Sequence, residues 1–211
     1  MKIIAINGSP RKEGNTYEAI RMVLDELEKE GMETEVLHIG NKAIRGCTGC
    51  NLCFKNRNGK CVISDDCVNE MIDKLKDADG ILLGSPVYYS GITGTMKSFL
   101  DRVFYVNGAN GNYFKGKVGA AVTAVRRSGG LPAYDQLNKY IQYSEMLIAT
   151  SNYWNVIHGL RPGEAVKDDE GRQIMSRLGK NMAWALKLID HGKDEIKHPE
   201  SEGKVFTHFV R

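Results

Sequence analysis

The chain has 211 residues, 42% of them hydrophobic and 26% charged, with 23 glycines, which suits one medium domain and excludes disordered and fibrous classes. A net charge of +3 is too small to imply a nucleic-acid partner. The longest uncharged run, 80–96, is broken by Pro86 and several glycines, and the apolar stretch at 3–6 is too short for a signal peptide, so no membrane span and a soluble cytoplasmic protein are expected.

Short aliphatic runs bounded by Gly, Ser or Pro alternate with long amphipathic stretches, the pattern of a parallel sheet covered by helices on both faces. Residues 2–6 read as a buried strand. A helix over 15–30 follows, with Ile20, Val23, Leu24 and Leu27 on its inner face and Gly31 at its end. The second strand is 33–38. An irregular insertion at 43–64 carries four of the five cysteines, and a helix over 66–76 follows it. The strand at 78–84 feeds a helix through Met96, Leu100 and Val103. A fourth strand at 117–125 precedes a helix at 131–143. Either 147–150 or 154–157 supplies the fifth strand, and a last helix spans 168–189. The expected architecture is α/β: a doubly wound, five-stranded parallel sheet in three layers, forming a domain over 1–191 with a polar tail at 192–211. Sheets of this kind bind ligands beyond the carboxyl ends of their strands, which selects the loops after Ile6, Gly84 and Val125.

The first of these, Asn7-Gly8-Ser9-Pro10-Arg11-Lys12-Glu13-Gly14-Asn15-Thr16, joins a buried strand to a helix start, where converging N–H groups and the helix dipole favour an anion. It is no Walker loop, because Gly8 and Gly14 are one residue too far apart and Asn15 stands where the lysine belongs. No G-x-G-x-x-G follows any expected strand. A phosphate monoester held by hydroxyls, amides and Arg11 is the remaining ligand; the plain alternative is a glycine turn in which Asn15 or Thr16 caps the helix.

Gly8-Ser9-Pro10-Arg11 with Gly14-Asn15-Thr16, followed by Gly84-Ser85-Pro86-Val87-Tyr88-Tyr89 and Gly94-Thr95-Met96-Lys97, resembles the NADPH-dependent FMN reductase family of flavodoxin-like proteins over about residues 1–190. The resemblance implies that Ser9, Arg11, Asn15 and Thr16 hold the phosphate of FMN. It further implies that Pro86, Val87, Tyr88, Tyr89, Ser90 and Gly91 lie along the isoalloxazine. The ring needs amides at its pyrimidine edge and apolar or aromatic faces for its body, which these residues offer. In similar proteins the segment after the fourth strand is the flavin's third wall, which makes Arg126, more than Arg127, a cofactor contact.

Cys47-x2-Cys50-x2-Cys53-x7-Cys61 brings four thiols into a compact turn. Four thiolates suit a 4Fe-4S cluster or a tetrahedral zinc, and a metal-free loop is the third reading. The spacing looks like the motif of iron-sulfur flavoproteins, a branch of the same family, in which the cluster relays single electrons. Lys42, Arg45, Lys55, Arg57 and Lys60 flank the cysteines; Cys67 falls beyond them as a buried spectator.

The implied activity is an FMN-dependent oxidoreductase: NAD(P)H or another reduced donor reduces the flavin, and a quinone, flavin, nitroaromatic, metal or protein acceptor collects the electrons. No side chain is assigned as acid or base, because the cofactor carries the chemistry. A flavodoxin-like electron carrier served by ferredoxin, with no small-molecule substrate of its own, is the competing reading, and a thiol or metal sensor a third. Similar proteins complete the flavin pocket with a neighbouring subunit, so a homodimer or homotetramer is expected, with Phe99, Val103, Phe104 and Tyr105 as its apolar surface.

Overall fold

A computed structural model describes residues 1–200, 202–207 and 209; the remainder of the expected tail lies outside the described residues. The first strand, β1 (Lys2–Asn7), is buried along nearly its whole length, as a central parallel strand must be. Helix α1 (Asn15–Lys29) turns Ala19, Ile20, Val23, Leu24 and Leu27 inward, and β2 (Glu33–His38) returns beside β1. The cysteine insertion is irregular except for α2 (Leu52–Asn56), a single turn framed by left-handed Asn51 and Arg57. Then come α3 (Val68–Lys76), β3 (Gly80–Pro86), α4 (Gly94–Ala109), β4 (Val118–Val125) and α5 (Gly130–Tyr143). Two short strands, β5 (Leu147–Ile148) and β6 (Val156–His158), precede a 3-10 turn at Glu164–Lys167 and the long helix α6 (Asp169–Gly192).

Every strand pair is parallel, in the order β2-β1-β3-β4-β5, with β6 also on β4. This is the doubly wound, flavodoxin-like arrangement, whose winding reverses between β1 and β3. Helices α1 and α6 cover one face over a core including Ile3, Leu82, Val122 and Met182. Helices α3, α4 and α5 cover the other, over Ile81, Phe99, Leu100 and Phe114. Among the described residues, no helix is long and apolar enough to cross a membrane.

Both expected candidates for the fifth strand are used. Leu147 and Ile148 pair with Val118 and Gly119 at the start of β4, and Val156 to His158 pair with Thr123 to Val125 at its end. Buried Asn155 bridges the gap: its Nδ2 donates to the Ala121 carbonyl at 3.0 Å and its own carbonyl accepts from the Thr123 N–H at 3.0 Å. The ladder is thereby continued by a side chain while Tyr153 and Trp154 are thrown outward.

Of the apolar residues expected to form an assembly surface on α4, Phe99, Val103 and Phe104 belong to the core. Only Tyr105 is exposed, and it is engaged within the chain: its hydroxyl donates to Asn51 Oδ1 at 2.6 Å and its ring meets Phe54 edge-on. The cysteine insertion with α2, and α3, pack against α4, so its i, i+3, i+4 pattern faces inward more broadly than a surface helix would.

Asp168 caps α6. Its Oδ1 accepts from the Gly171 N–H at 2.9 Å and its Oδ2 from the His158 N–H at 2.7 Å. Burial alone would push this carboxyl up, but those two N–H groups and the His158 ring hold it below the ordinary aspartate range. A lowered folded value means the cap's stabilisation is complete above the unfolded aspartate pKa, about 3.9, and is lost as pH falls through the folded value. Asp168→Ala is therefore expected to cost about 1–2 kcal/mol at neutral pH. Urea titrations of both proteins down a pH series should show the difference shrinking only in acid.

Candidate functional site

The first two carboxyl-end loops meet at Gly8. Its N–H donates to the Gly84 carbonyl at 2.8 Å, and its carbonyl accepts from the Thr93 hydroxyl at 2.9 Å. Thr93 is buried, and its oxygen also accepts from Met96 N–H as the cap of α4. A Cβ at Gly8 would lie 2.9 Å from Met96 Sδ and 3.1 Å from the Gly84 oxygen, so only glycine lets the first two loops close on each other.

Loop 8–14 is held from beneath. Fully buried Asn7 donates through Nδ2 to the Lys12 carbonyl at 3.0 Å and accepts the Ser9 N–H at Oδ1, 3.0 Å. Ser9 is buried and its Oγ accepts from the Arg11 N–H at 3.2 Å. His38 Nε2 lies 2.8 Å from the Ser9 carbonyl, which only accepts, so Nε2 carries the proton. Gly40 backs the loop so closely that a Cβ there would sit 1.9 Å from the Ser9 oxygen.

Helix α1 starts at Gly14 with no side-chain cap. The capping role available to Asn15 is not taken: its Oδ1 accepts from the Ala165 N–H at 3.1 Å, tying the helix start to the turn before α6. Thr16 is buried and its methyl would be 3.3 Å from a Cβ on Gly84, so it packs the junction of the loops. Arg11 is exposed over the loop. The first-turn amides of a fifteen-residue helix thus face the carboxyl edge without a side-chain acceptor, the disposition that suits a phosphate.

The second loop makes a two-residue reversal. Tyr88 and Gly91 exchange both backbone hydrogen bonds at 2.9 Å, and the two residues between them, Tyr89 and Ser90, have φ of 48° and 60°. Such a turn ordinarily uses Asn-Gly. Left-handed backbone at two non-glycine residues stores about 1–2 kcal/mol each, the kind of cost that persists at ligand-facing turns. Pro86 ends β3, Val87 is half-buried with its N–H on the Ala124 carbonyl at 3.2 Å, and Tyr88 and Tyr89 are both exposed, Tyr89 completely.

After β4, Arg126, Arg127 and Ser128 are exposed and Gly129 turns back against Ser90 and Val87. Arg127, not Arg126, lines a cavity of about 380 Å³ together with Leu131, Trp154, His158 and Ile174. Tyr153 and Trp154, their ring centroids 4.5 Å apart, form its wall. The break in the fifth strand creates this wall, and no sequence periodicity signals it.

The cysteine loop lies against α4. Cys47, Cys50, Cys53 and Cys61 line one narrow cavity with Arg102 and Tyr105. Cys47 and Cys50 are exposed and Cys53 is buried. Backbone and Thr48 hydrogen bonds lower the Cys50 thiol, whereas burial pushes the Cys53 thiol up. Among the described residues, no group of three or more His, Cys, Asp or Glu is arranged to hold a metal ion. Half-buried Cys67, also pushed up by burial, precedes α3 and does not line the cavity.

Residues 1–160 match the model of the NADPH-dependent FMN reductase family. The chain belongs to that family. Among its curated relatives is an iron-sulfur flavoprotein of Methanocaldococcus jannaschii, 38% identical over 196 residues that cover 90% of this chain and 99% of the relative. Of solved structures, RosB, bound to a riboflavin 5'-phosphate intermediate, superposes with a TM-score of 0.73 at 15% identity, covering 100% of this chain and 94% of the other. A flavodoxin from the domain Archaea gives 0.59 at 21% identity over 89% and 99%. These two establish the fold. Family membership supports FMN as cofactor and flavin-based oxidoreduction or electron carriage as the general activity.

Two substitutions test the first two loops separately. Gly40→Ala must displace the backbone of Ser9, and fluorescence titration should show FMN affinity falling at least about tenfold, some 1.4 kcal/mol. Ser90→Gly relieves left-handed strain of about 1–2 kcal/mol and costs roughly 0.5–1 kcal/mol of glycine entropy. Relief wins, so the free protein should melt at a slightly higher temperature while the turn, no longer fixed by sequence, binds flavin more weakly.

Proposed function

We propose that this protein is an FMN-dependent oxidoreductase whose four-cysteine loop holds a 4Fe-4S cluster, so that electrons from NAD(P)H or another reduced donor leave singly or in pairs for a small-molecule or protein acceptor. The observation that carries the reading is the role of α4. Its cap, Thr93, fixes the flavin loops, and residues on its later turns, Arg102 and Tyr105, touch the thiol loop. From Gly94 to Arg102 the helix spans roughly 12 Å. One rigid element therefore spaces the two redox sites.

Bound FMN would supply exchange between two-electron and one-electron carriers. Ser9, the uncapped amides of Asn15 and Thr16, and Arg11 would take its phosphate. Pro86 to Gly91 would lie along the ring, with Tyr88 or Tyr89 as a face and Arg126 or Arg127 near its outer edge. The donor set of the thiol loop fits a cubane, in which each thiolate binds a separate iron around a volume. Cys47 and Cys50 sit on exposed chain beside Gly46 and Gly49, which leaves that segment free to adjust around a cluster. The iron-sulfur names of the relatives support the same assignment.

The carrier reading draws on one observation of its own. Lys42, Arg45, Lys55, Arg57 and Lys60 are all exposed around the thiols, a basic collar suited to steering an acidic protein such as a ferredoxin. A homodimer or homotetramer, with cofactor sites shared across subunits, belongs to the same proposal.

Anaerobic reconstitution with FMN, iron and sulfide should yield one flavin and four irons per chain, with a broad visible shoulder beside the flavin bands. Cys53→Ser should lose the iron and keep the flavin. Rapid bleaching by NADPH or NADH supports the oxidoreductase; bleaching by reduced ferredoxin alone supports the carrier. A colourless protein that leaves FMN fluorescence unquenched refutes both.

A further inference from the structure

The side chain of Arg102 is completely buried beneath the cysteine loop, and all five of its N–H donors are used. Nε donates to Cys61 Sγ at 3.4 Å. Nη1 donates to the Arg45 carbonyl at 3.2 Å and Nη2 to the Ile63 carbonyl at 2.7 Å. The two Nη groups together grip the carboxylate of Asp66, Nη2 reaching Oδ1 at 3.1 Å and Nη1 meeting Oδ2. One guanidinium thus holds the chain before the first cysteine, the chain after the last, and the last cysteine itself. Asp66 also accepts the Val68 N–H at 3.1 Å, which locks the exit of the loop onto α3.

A buried charge is costly unless paired and fully hydrogen-bonded, and a buried ion pair contributes little stability over an apolar replacement. Stability alone therefore gives no reason for an arginine here rather than a leucine of the kind filling the rest of the α4 core. What the arginine adds is direction. Its planar fork aims one N–H at a sulfur while the rest of the group anchors the loop. A donor to a ligating sulfur withdraws electron density from it and stabilises the more negative, reduced state of an iron-sulfur centre, which raises the reduction potential.

We propose that Arg102 is a positioning and potential-setting residue of the thiol loop: it fixes Cys61 in place as a cluster ligand and, by donating Nε–H to its sulfur, makes a cluster there easier to reduce. The proposal rests on the assignment of a cluster to the four cysteines made above. Asp66 opposes the electrostatic half of the effect, because its carboxylate adds negative charge beside the same site, while supporting the positional half by gripping the fork. The two residues of one ion pair therefore act on the potential with opposite sign.

The test compares reconstituted holoproteins of wild type, Arg102→Lys and Asp66→Asn by iron content, FMN affinity and EPR-monitored redox titration. Arg102→Lys keeps the charge and loses the aimed Nε–H; the expected result is wild-type FMN affinity with the cluster midpoint shifted to more negative potential. Asp66→Asn removes the carboxylate and keeps the N–H to sulfur; its midpoint is expected to shift to more positive potential. An unchanged midpoint in Arg102→Lys, or shifts of the same sign in both variants, overturns the proposal, since simple loosening of the loop would move both alike. If Arg102→Lys loses its iron, wild-type FMN affinity in that variant supports the positioning of Cys61 by Arg102, and loss of FMN affinity together with the iron, the mark of general unfolding, overturns the proposal. Wild-type protein that takes up no iron and sulfide refutes the cluster assignment itself and this proposal with it, whereas a loaded wild type with unmoved variants refutes only the role of Arg102.

Discussion

The two hydrogen bonds at Gly8, one donated to the Gly84 carbonyl and one accepted from the Thr93 hydroxyl, tie the loop after β1, the end of β3 and the start of α4 into one unit. They lie where the winding of the sheet reverses, the place at which neighbouring loops splay apart and leave a crevice. Without the first bond the loops after β1 and β3 would be separate turns. Without the second, α4 would start independently of both, and the thiol loop resting on its later turns would lose its registration to them. A threonine hydroxyl that caps a helix and donates across 85 residues serves a local and a long-range purpose with one oxygen.

The architecture was legible in the sequence because parallel strands buried on both faces must be continuously apolar, as 3–6, 80–84 and 118–122 are, and because the helices between them carry one-sided apolar spacing. The position of the loops at the carboxyl ends of β1 and β3 was legible because Gly8, Ser9, Gly14 and the Pro86 to Gly91 segment break the apolar runs that precede them. What periodicity could not supply was long-range. Arg102 reads in sequence as one more charged residue on a helix, yet the insertion folds over it and buries it. Gly40 and His38 support the loop after β1 from the next strand's end, 29 residues and more away from Ser9. Phe99, Val103 and Phe104 looked available for assembly because the depth of cover over α4 depends on where the cysteine loop and α5 settle.

The carboxyl end of the sheet also concentrates the conformational cost of the chain. Tyr89 and Ser90 occupy left-handed backbone between two short hydrogen bonds, and Tyr89 projects wholly into solvent. A sequence selected for stability alone would place glycine or asparagine there. Retaining a tyrosine in a strained position exchanges stability for a backbone turn whose shape is set in the free protein.

The divided fifth strand has a consequence away from any redox chemistry. A sheet must end somewhere, and an open border of unpaired amides and carbonyls invites a neighbouring molecule to add on. Here that border consists of a two-residue and a three-residue piece, interrupted by Asn155 and two protruding aromatic rings, while the opposite border on β2 carries Glu33 and Glu35. Neither flank offers a long, smooth template for strand addition, so the same interruption that walls the cavity beside Tyr153 and Trp154 also guards the protein against fibrillar self-association at high concentration.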